Sequence, residues 1–399
     1  MSDRAYLDHA ATTAMLPEVR EAWLAASQQG GNPSSLHASG RATRRIVEEA
    51  RESIAADLHC RPSDVIFTSG GTEADNTAVK GITWAQREAR GARVVLASAV
   101  EHHAVLDPLE WLVEHGDATV EWLPVDGLGR VSAAEVAERL TPDVALVTVM
   151  WANNEVGTVQ PVSSIAASCR AAGIAMHTDA VQALGQLPVD FAESGVAAMT
   201  LSSHKIGGPF GVGALLVDAG HPAFARLTEP IVPLLHGGGQ ERDIRSGTLD
   251  APGIAGFAVA VRHAVREQAA HAQALSALRN QLIAAVQAAV PDAVLNGDPV
   301  DRLPANAHFT FPGCQGDALL MLLDAAGIDC STGSACTAGI PEPSHVLIAM
   351  GVDESHARES LRFSVGHGNS PADVERLVAV LPGAVDRARR ASAPRRVLS

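Results

Sequence analysis

Residues 174–182 read IAMHTDAVQ, and residues 197–209 read AAMTLSSHKIGGP. Each is a short apolar run that ends on polar groups: Asp179 in the first, His204 and Lys205 in the second. Runs of this length, bounded by turn residues, read as buried strands. The pattern continues on both sides. Further β-branched runs lie at 65–68, 93–97, 144–151 and 212–217, with helix-like, Ala-rich stretches at 74–90, 103–115, 132–140 and 161–172. Strand and helix in alternation predict an α/β fold around a mostly parallel sheet. Ligands of such sheets sit at the carboxyl ends of the strands. That singles out SGGT at 69–72, NNE at 153–155, DAVQ at 179–182 and SSHK at 202–205.

Past residue 250 the pattern changes. Residues 252–290 are Ala-rich and helix-periodic, and predict one long helix bridging two domains. A strand at 308–313, a helix at 316–326, a Ser/Gly/Ala-rich loop at 331–339, a helix at 343–350 and a strand at 360–366 follow. Ser370 and Pro371 mark the start of the last helix as N-cap and first helical residue. The final stretch, DRARRASAPRRVLS, reads as a solvated, frayed end.

A chain of 399 residues has room for two domains. Its 47% hydrophobic and 19% charged residues allow a sizeable core. The formal charge of −15 argues against nucleic-acid binding and against adhesion to an anionic membrane. No apolar stretch reaches the length of a membrane span. The N-terminus, MSDRAYLDHAATTA, lacks the apolar core of a signal peptide, which predicts a cytoplasmic protein. Five cysteines, an odd number, do not make a disulfide framework.

Of the 30 basic residues only Lys80 and Lys205 are lysines. Lys80 falls inside a helix-like stretch and reads as a surface residue. Lys205 lies between a buried strand and a Gly-rich turn, where its amine faces a cleft. That placement suits a Schiff-base lysine holding pyridoxal phosphate. Such a cofactor needs backbone N–H groups for its phosphate, and FTSGGTEADN supplies a strand, two glycines and a helix start. It also needs a carboxylate for its ring nitrogen. Asp179 fits, although an Asp at a strand end can equally be a helix cap. Cys60, Cys169, Cys314 and Cys330 lie in or beside apolar runs and read as small buried hydrophobes. Cys336, in STGSACTAG, has no bulky neighbour and reads as a nucleophile on a mobile arm. There is no H-E-x-x-H, and His102 and His103, if on a strand, face opposite ways, so no metal site is expected.

Taken in order, these residues resemble a family. SGGTEADN, EHHAVLD, NNEVG, DAVQ, SSHK, HGGGQERDIRSGT at 236–248, GSACTAG at 333–339 and SLRFSVG at 360–366 are similar to the motifs of the PLP-dependent cysteine desulfurases. These are class-V aminotransferase-like enzymes, and the loop around Cys336 resembles the class with the longer Cys loop. The resemblance implies a fold-type I PLP-dependent transferase: a mostly parallel central sheet with a smaller α+β domain. It implies a large PLP-binding domain at 14–257 and a small domain made of 1–13 plus 258–399. It further implies a homodimer. By the same resemblance Lys205 would bind pyridoxal 5'-phosphate covalently, Asp179 would pair with its ring nitrogen, and Gln182 would bond the ring's O3′. His102 would stack on the ring and handle protons, and the N-terminal YLDHAATT would lie near the active site and join the small domain. Asn154 would lie beside the ring, near the substrate carboxylate. Gly71, Thr72, Ser202 and His204 would cradle the phosphate, joined by Thr248 from a second subunit. Arg362 would clamp the carboxylate of L-cysteine, and Cys336 would accept its sulfur as a persulfide, leaving L-alanine. A sulfur-acceptor protein would follow, for iron–sulfur cluster assembly or for thiocofactor and tRNA thiolation. An aminotransferase or selenocysteine lyase of the same fold, or a silent partner-binding homologue, would share all but the use of Cys336.

Overall fold

The computed structural model describes residues 4–333 and 343–392. Cys336 and the last seven residues of the arginine-rich tail lie outside them.

A seven-stranded sheet organises the larger part of the chain. Its spatial order is Val65–Thr68, Gly213–Val217, Ala198–Ser202, Ala175–Asp179, Val144–Thr148, Val94–Ser98 and Thr119–Leu123. Pairing is parallel from Ala198–Ser202 to the far edge. Gly213–Val217 runs antiparallel to both of its neighbours. The inner strands are buried along their length, as expected of a sheet with helices on both faces. Successive residues supply opposite cores, as strand geometry requires. Ile66, Leu146 and Leu215 pack on one face with Val79, Ile82 and Leu109. Phe67, Val147 and Leu216 pack on the other with Ile54 and Phe257. The edge strand Thr119–Leu123 escaped the sequence reading because only Leu123 in it is buried.

The second core is built on an antiparallel sheet of Val294–Asn296, Asn306–Thr310 and Ser360–Ser364. Phe309, Phe311 and Phe363 pack there against Leu282, Val286, Leu377 and Leu381. The chain's start belongs to this core too. Ala5–Tyr6 pairs in parallel with Ile328–Asp329, and Leu7 is fully buried. Among the described residues, no helix is long and apolar enough to cross a membrane.

Three local expectations need correction. The helix expected over 252–290 is two helices, Ala251–Arg266 and Gln268–Ala289, interrupted at Glu267. The first packs Phe257, Val261 and Ala264 on the large core, the second Leu282 and Val286 on the small one, and the chain bends between the two cores. The end expected to fray from residue 386 is helical through Ser392. Arg389 secures it by donating to Pro312 O at 2.9 Å and to Asp292 at 2.6 Å. Lys80 is half-buried, with its amine 4.2 Å above the Trp111 ring, a cation–π contact.

One close approach shapes the site. A Cβ on Gly213 would lie 2.7 Å from both the Gly70 carbonyl carbon and Leu201 O. Gly70 itself has φ 154°, open mainly to glycine. The strand and the turn therefore touch backbone to backbone. Gly213→Ala should cost about 1–3 kcal/mol through overpacking. Gly127→Ala, with nothing within 4 Å of the added carbon, should stay within about 0.5 kcal/mol. Denaturant midpoints of the two variants check the contrast.

Candidate active site

The carboxyl ends of the parallel strands open into a cavity of about 310 Å3. Lys205 enters it from the turn Ser203–Ile206, which follows strand Ala198–Ser202 and closes at Gly207 with φ 76°. Its Nζ donates to the carbonyls of Ala10 (2.6 Å) and Ala11 (2.8 Å). Burial and the Arg362 charge pull its pKa down to about 8, against the pull of Asp179 and Asp8.

Asp179 ends the adjacent strand. Its Oδ1 accepts from the Val181 N–H at 2.8 Å. Burial raises its pKa to about 6, opposed by that N–H and by Lys205. Two more carboxyls, on Asp75 and Glu101, are at most 1% exposed. Burial and the Asp179 charge push Asp75 well above the ordinary range, against a hydrogen bond from Thr200. Burial pushes Glu101 up to about 8, with the Met150 N–H acting against it and Asp179 adding to it. Each of these charges disfavours the others. Of the three carboxyls, Asp179 is the one whose ionised form the Lys205 amine favours.

His102 stands with His103 at a helix start rather than on a strand. It caps His103–Glu114, its Nδ1 accepting from the Ala104 N–H at 3.0 Å. An accepting Nδ1 leaves the proton of the neutral ring on Nε2. Burial and the Lys205 charge pull its pKa down to about 4. His204 shares the cavity wall, with its Nδ1 3.1 Å from Thr12 Oγ1.

Gly71 and Thr72 open the helix Gly71–Arg90, whose first N–H groups have no partner inside the helix. A Cβ on Gly71 would lie 3.0 Å from Val181 Cγ2, so the turn packs closely against residue 181. Gly71, Thr72, Ser202 and His204 all line the cavity, as do Asn154 and Gln182. Gln182 donates to Ala10 O at 2.9 Å.

Arg362 comes from the small sheet. Its Nη1 donates to Asn154 O and its Nη2 pairs with Asp8, both at 2.9 Å. Its Nε is buried without an acceptor among the described residues. An incoming carboxylate would compete with Asp8 for Nη2 and with Asn154 O for Nη1.

Among the described residues, one expected site residue is not brought into this cavity: Thr248 is exposed and does not line it. Cys336 lies outside the described residues. Gly333 and His345, on either side of that segment, both line the wall. Ser344 fixes the near flank by donating to Glu155 Oε2 at 2.5 Å. The sequence reading placed the segment that holds Asp8 near the site but singled out neither that residue nor Asp75 or Glu101. Asp75 and Glu101 stood inside the quoted motifs SGGTEADN and EHHAVLD, with no local signal that either would be buried. No local pattern pointed to the Asp8–Arg362 pair, which joins positions 354 residues apart.

The family described as aminotransferase class-V matches residues 5–377. The chain is 57% identical over 393 residues to the "IscS-like cysteine desulfurase" of Mycobacterium tuberculosis (strain ATCC 25618 / H37Rv), covering 97% of this chain and 98% of the relative. It is 40% identical over 389 residues to the "Cysteine desulfurase NifS" of Azotobacter vinelandii, covering 97% and 94%. Among solved structures, one titled "NIFS-LIKE PROTEIN" superimposes with a TM-score of 0.86 at 33% identity, covering 96% of this chain and 100% of that one. DndA from Streptomyces lividans gives 0.75 at 38% identity, covering 90% and 99%.

The electrostatics predict a pH profile. Lys205 is protonated below about 8, so the neutral, nucleophilic amine should increase about tenfold per pH unit below that value and level off above it. Arg362→Gln removes a repelling charge and should move the midpoint up. Asp179→Asn removes an attracting one and should move it down. Amine labelling at Lys205, followed across pH by mass spectrometry, checks both directions.

Proposed function

The chain belongs to the class-V aminotransferase family, and from this we propose that it is a cysteine desulfurase working as a cytoplasmic homodimer. It takes L-cysteine, releases L-alanine and keeps the sulfur on Cys336 as a persulfide. One observation carries the reading. A half-buried amine of lowered pKa, a buried carboxylate and Gly333, three residues before Cys336, share a single cavity.

The donor set fits pyridoxal phosphate: a helix start for an anion, a carboxylate for a ring nitrogen and an amine for an aldehyde. When bound, the cofactor supplies an aldehyde for the amine and a ring that withdraws electrons from the substrate's Cα. Gly71, Thr72, Ser202 and His204 would hold its phosphate, joined by the partner subunit's Thr248. Asp179, ionised above about 6, would keep a proton on the ring nitrogen. Gln182 would donate to the ring's O3′, and His102 would cover its face with a neutral imidazole.

Lys205 would accept the substrate's Cα proton at Nζ, since its amine is substantially neutral near pH 8. Arg362 would bind the substrate carboxylate, with Asn154 beside it. The Cys336 thiolate would attack the substrate sulfur. A sulfur–sulfur bond forms, the carbon–sulfur bond breaks, and the carbon fragment takes a proton to become alanine. One cysteine and one thiol give one alanine and one persulfide, so atoms and electrons balance. A sulfur-acceptor protein serving iron–sulfur cluster assembly, or thiocofactor and tRNA thiolation, would then take the outer sulfur.

The two cores support reading 14–257 as the large unit and 1–13 plus 258–399 as the small one. Helix Ala251–Arg266 crosses that boundary, because Val261 and Ala264 still pack on the large core.

Two variants test the chemistry. Cys336→Ser should retain the yellow cofactor and lose alanine and sulfide production from cysteine by at least about 10²-fold, as expected when a nucleophile is removed. Full activity in that variant would remove Cys336 from the reaction. Lys205→Ala should stop turnover and leave no cofactor fixed by borohydride. Borohydride fixation at Lys80 instead would reassign the amine.

A further inference from the structure

A second cavity, of about 80 Å3, lies behind the catalytic one and shares Ala10, Gln182 and Lys205 with it. Four histidines line it: His9, His263, His271 and His367. They come from four elements. His9 lies in the N-terminal segment, His263 in helix Ala251–Arg266, His271 in helix Gln268–Ala289, and His367 in the turn after strand Ser360–Ser364. The first helix packs on the large core, while the second helix and the strand belong to the small one. The imidazoles therefore straddle the boundary between the cores. The His9 and His367 rings are 5.8 Å apart between centroids, and so are those of His263 and His271, both pairs edge to face.

His9 is tightly seated. Its Nδ1 hydrogen-bonds with Thr13 Oγ1, and a Cβ on Gly366 would lie 2.2 Å from the same nitrogen. The ring thus rests against the bare backbone of residue 366. Its own N–H and that of Ala10 are moored on Ser364, at 3.2 Å to the carbonyl and 2.8 Å to Oγ. The next link reaches the catalytic cavity, because Ala10 O accepts from Lys205 Nζ at 2.6 Å and from Gln182 at 2.9 Å.

Among the described residues, no carboxylate lines this second cavity. Two act on the rings from outside it: Glu18 Oε1 lies 3.0 Å from His263 Nδ1, and Glu267 favours the charged form of His271. Burial and His367 pull the His9 pKa down to about 4. The Tyr6 ring beside it, at 4.9 Å, is uncharged at neutral pH, its own pKa raised by burial. Burial, His271 and His263 lower the pKa of His367, against a bond with the Ala14 backbone and the Glu18 charge. Burial and His263 lower that of His271, against Glu267. Lys205, also on the wall, interacts with Arg362, Asp179 and Asp8. The directions agree: the closed packing favours neutral rings, and a proton on one ring repels the next. A ring whose pKa is lower in the closed form takes up a proton when the boundary opens. The closed form is thus fully favoured above about 6.5, the ordinary histidine value, and loses ground as pH falls from there toward about 4.

We propose that His9, His263, His271 and His367 form a proton-sensitive latch between the two cores: with neutral rings it holds residues 9–13 against Gly366, and on protonation the rings repel and release that segment, withdrawing Ala10 O from Lys205 and Gln182. The four are positioning residues, acting on the catalytic cavity through the segment. Acid would then loosen the site by a route separate from the titration of Lys205 itself.

Hydrogen–deuterium exchange of the full chain as purified, corrected for the intrinsic pH dependence of exchange, tests this. In the wild type, protection of the amides of residues 9–13 should fall about tenfold or more between pH 7.5 and 5.5, the effect of a single ring that takes its proton only on opening. His9→Gln with His367→Gln removes two protonatable rings and should abolish most of the fall. His271→Gln, a milder change, should reduce it in part, and reads the same latch should the double variant not fold. His59→Gln, at an exposed ring paired with Asp190, should leave the fall unchanged. Equal protection at both pH values, or a fall that persists in full in the double variant or in His271→Gln, would overturn the latch. So would a simultaneous loss of protection in strands Asn306–Thr310 and Ala198–Ser202, which would mean that acid unfolds the whole chain rather than this segment.

Discussion

A half-buried amine on Lys205 and a buried carboxylate on Asp179 lie where two adjacent parallel strands end. Removing such groups from water is costly, and the cost is tolerable only when each finds partners in good geometry. Much of the surrounding structure meets that demand. The Val181 N–H serves Asp179, and two N-terminal carbonyls serve Lys205. The desolvation that remains lowers the proton affinity of the lysine and raises that of the aspartate. A reactive amine and an ionised carboxylate then coexist near neutral pH. That coexistence is what proton transfer at an amino acid's Cα requires.

The N-terminal segment is the hub of this arrangement. Residues 8–12 contact four cavity side chains: Arg362 through Asp8, Gln182 and Lys205 through Ala10, and His204 through Thr12. The segment is itself anchored in the small core by the Ala5–Tyr6 pairing and by buried Leu7. It therefore ties Arg362, on the small sheet, to the amine on the large one. A shift between the two cores would change Lys205, Gln182 and Arg362 together. The loop 236–248 plays a comparable part at the turn 69–72, through Glu241 and Arg245.

Much of this was legible in the chain. The inner strands announce themselves as continuous apolar runs because both of their faces are covered. The edge strand Thr119–Leu123 did not, because most of its residues face solvent and carry no burial signal. The break at Glu267 was hidden because periodicity records that a face is apolar, not which core it meets. Lys205 and Asp179 were recognisable because each stands at or just past a strand end, a position that sequence rhythm marks; His102 entered only through the resemblance to a family, and Asn154 lies in a turn past strand Val144–Thr148. Asp8, Asp75 and Glu101 were not, because their importance comes from neighbours that are remote in the chain.

Sequence alone determined the chemical inventory and its placement along the chain: two lysines, one of them at a strand end, an aspartate 26 positions before it, a glycine turn opening a helix, and a cysteine among small residues. Composition and period suffice for that, because strand and helix signals are local. Tertiary structure alone decided how these groups ionise and what they touch. Burial pushes Asp75 and Glu101 upward while the Lys205 amine favours the charge on Asp179, and Arg362 rests on Asp8 across 354 positions. The reason is physical: desolvation and Coulomb energies depend on every atom within several ångströms, and nearly all of those atoms come from distant parts of the chain.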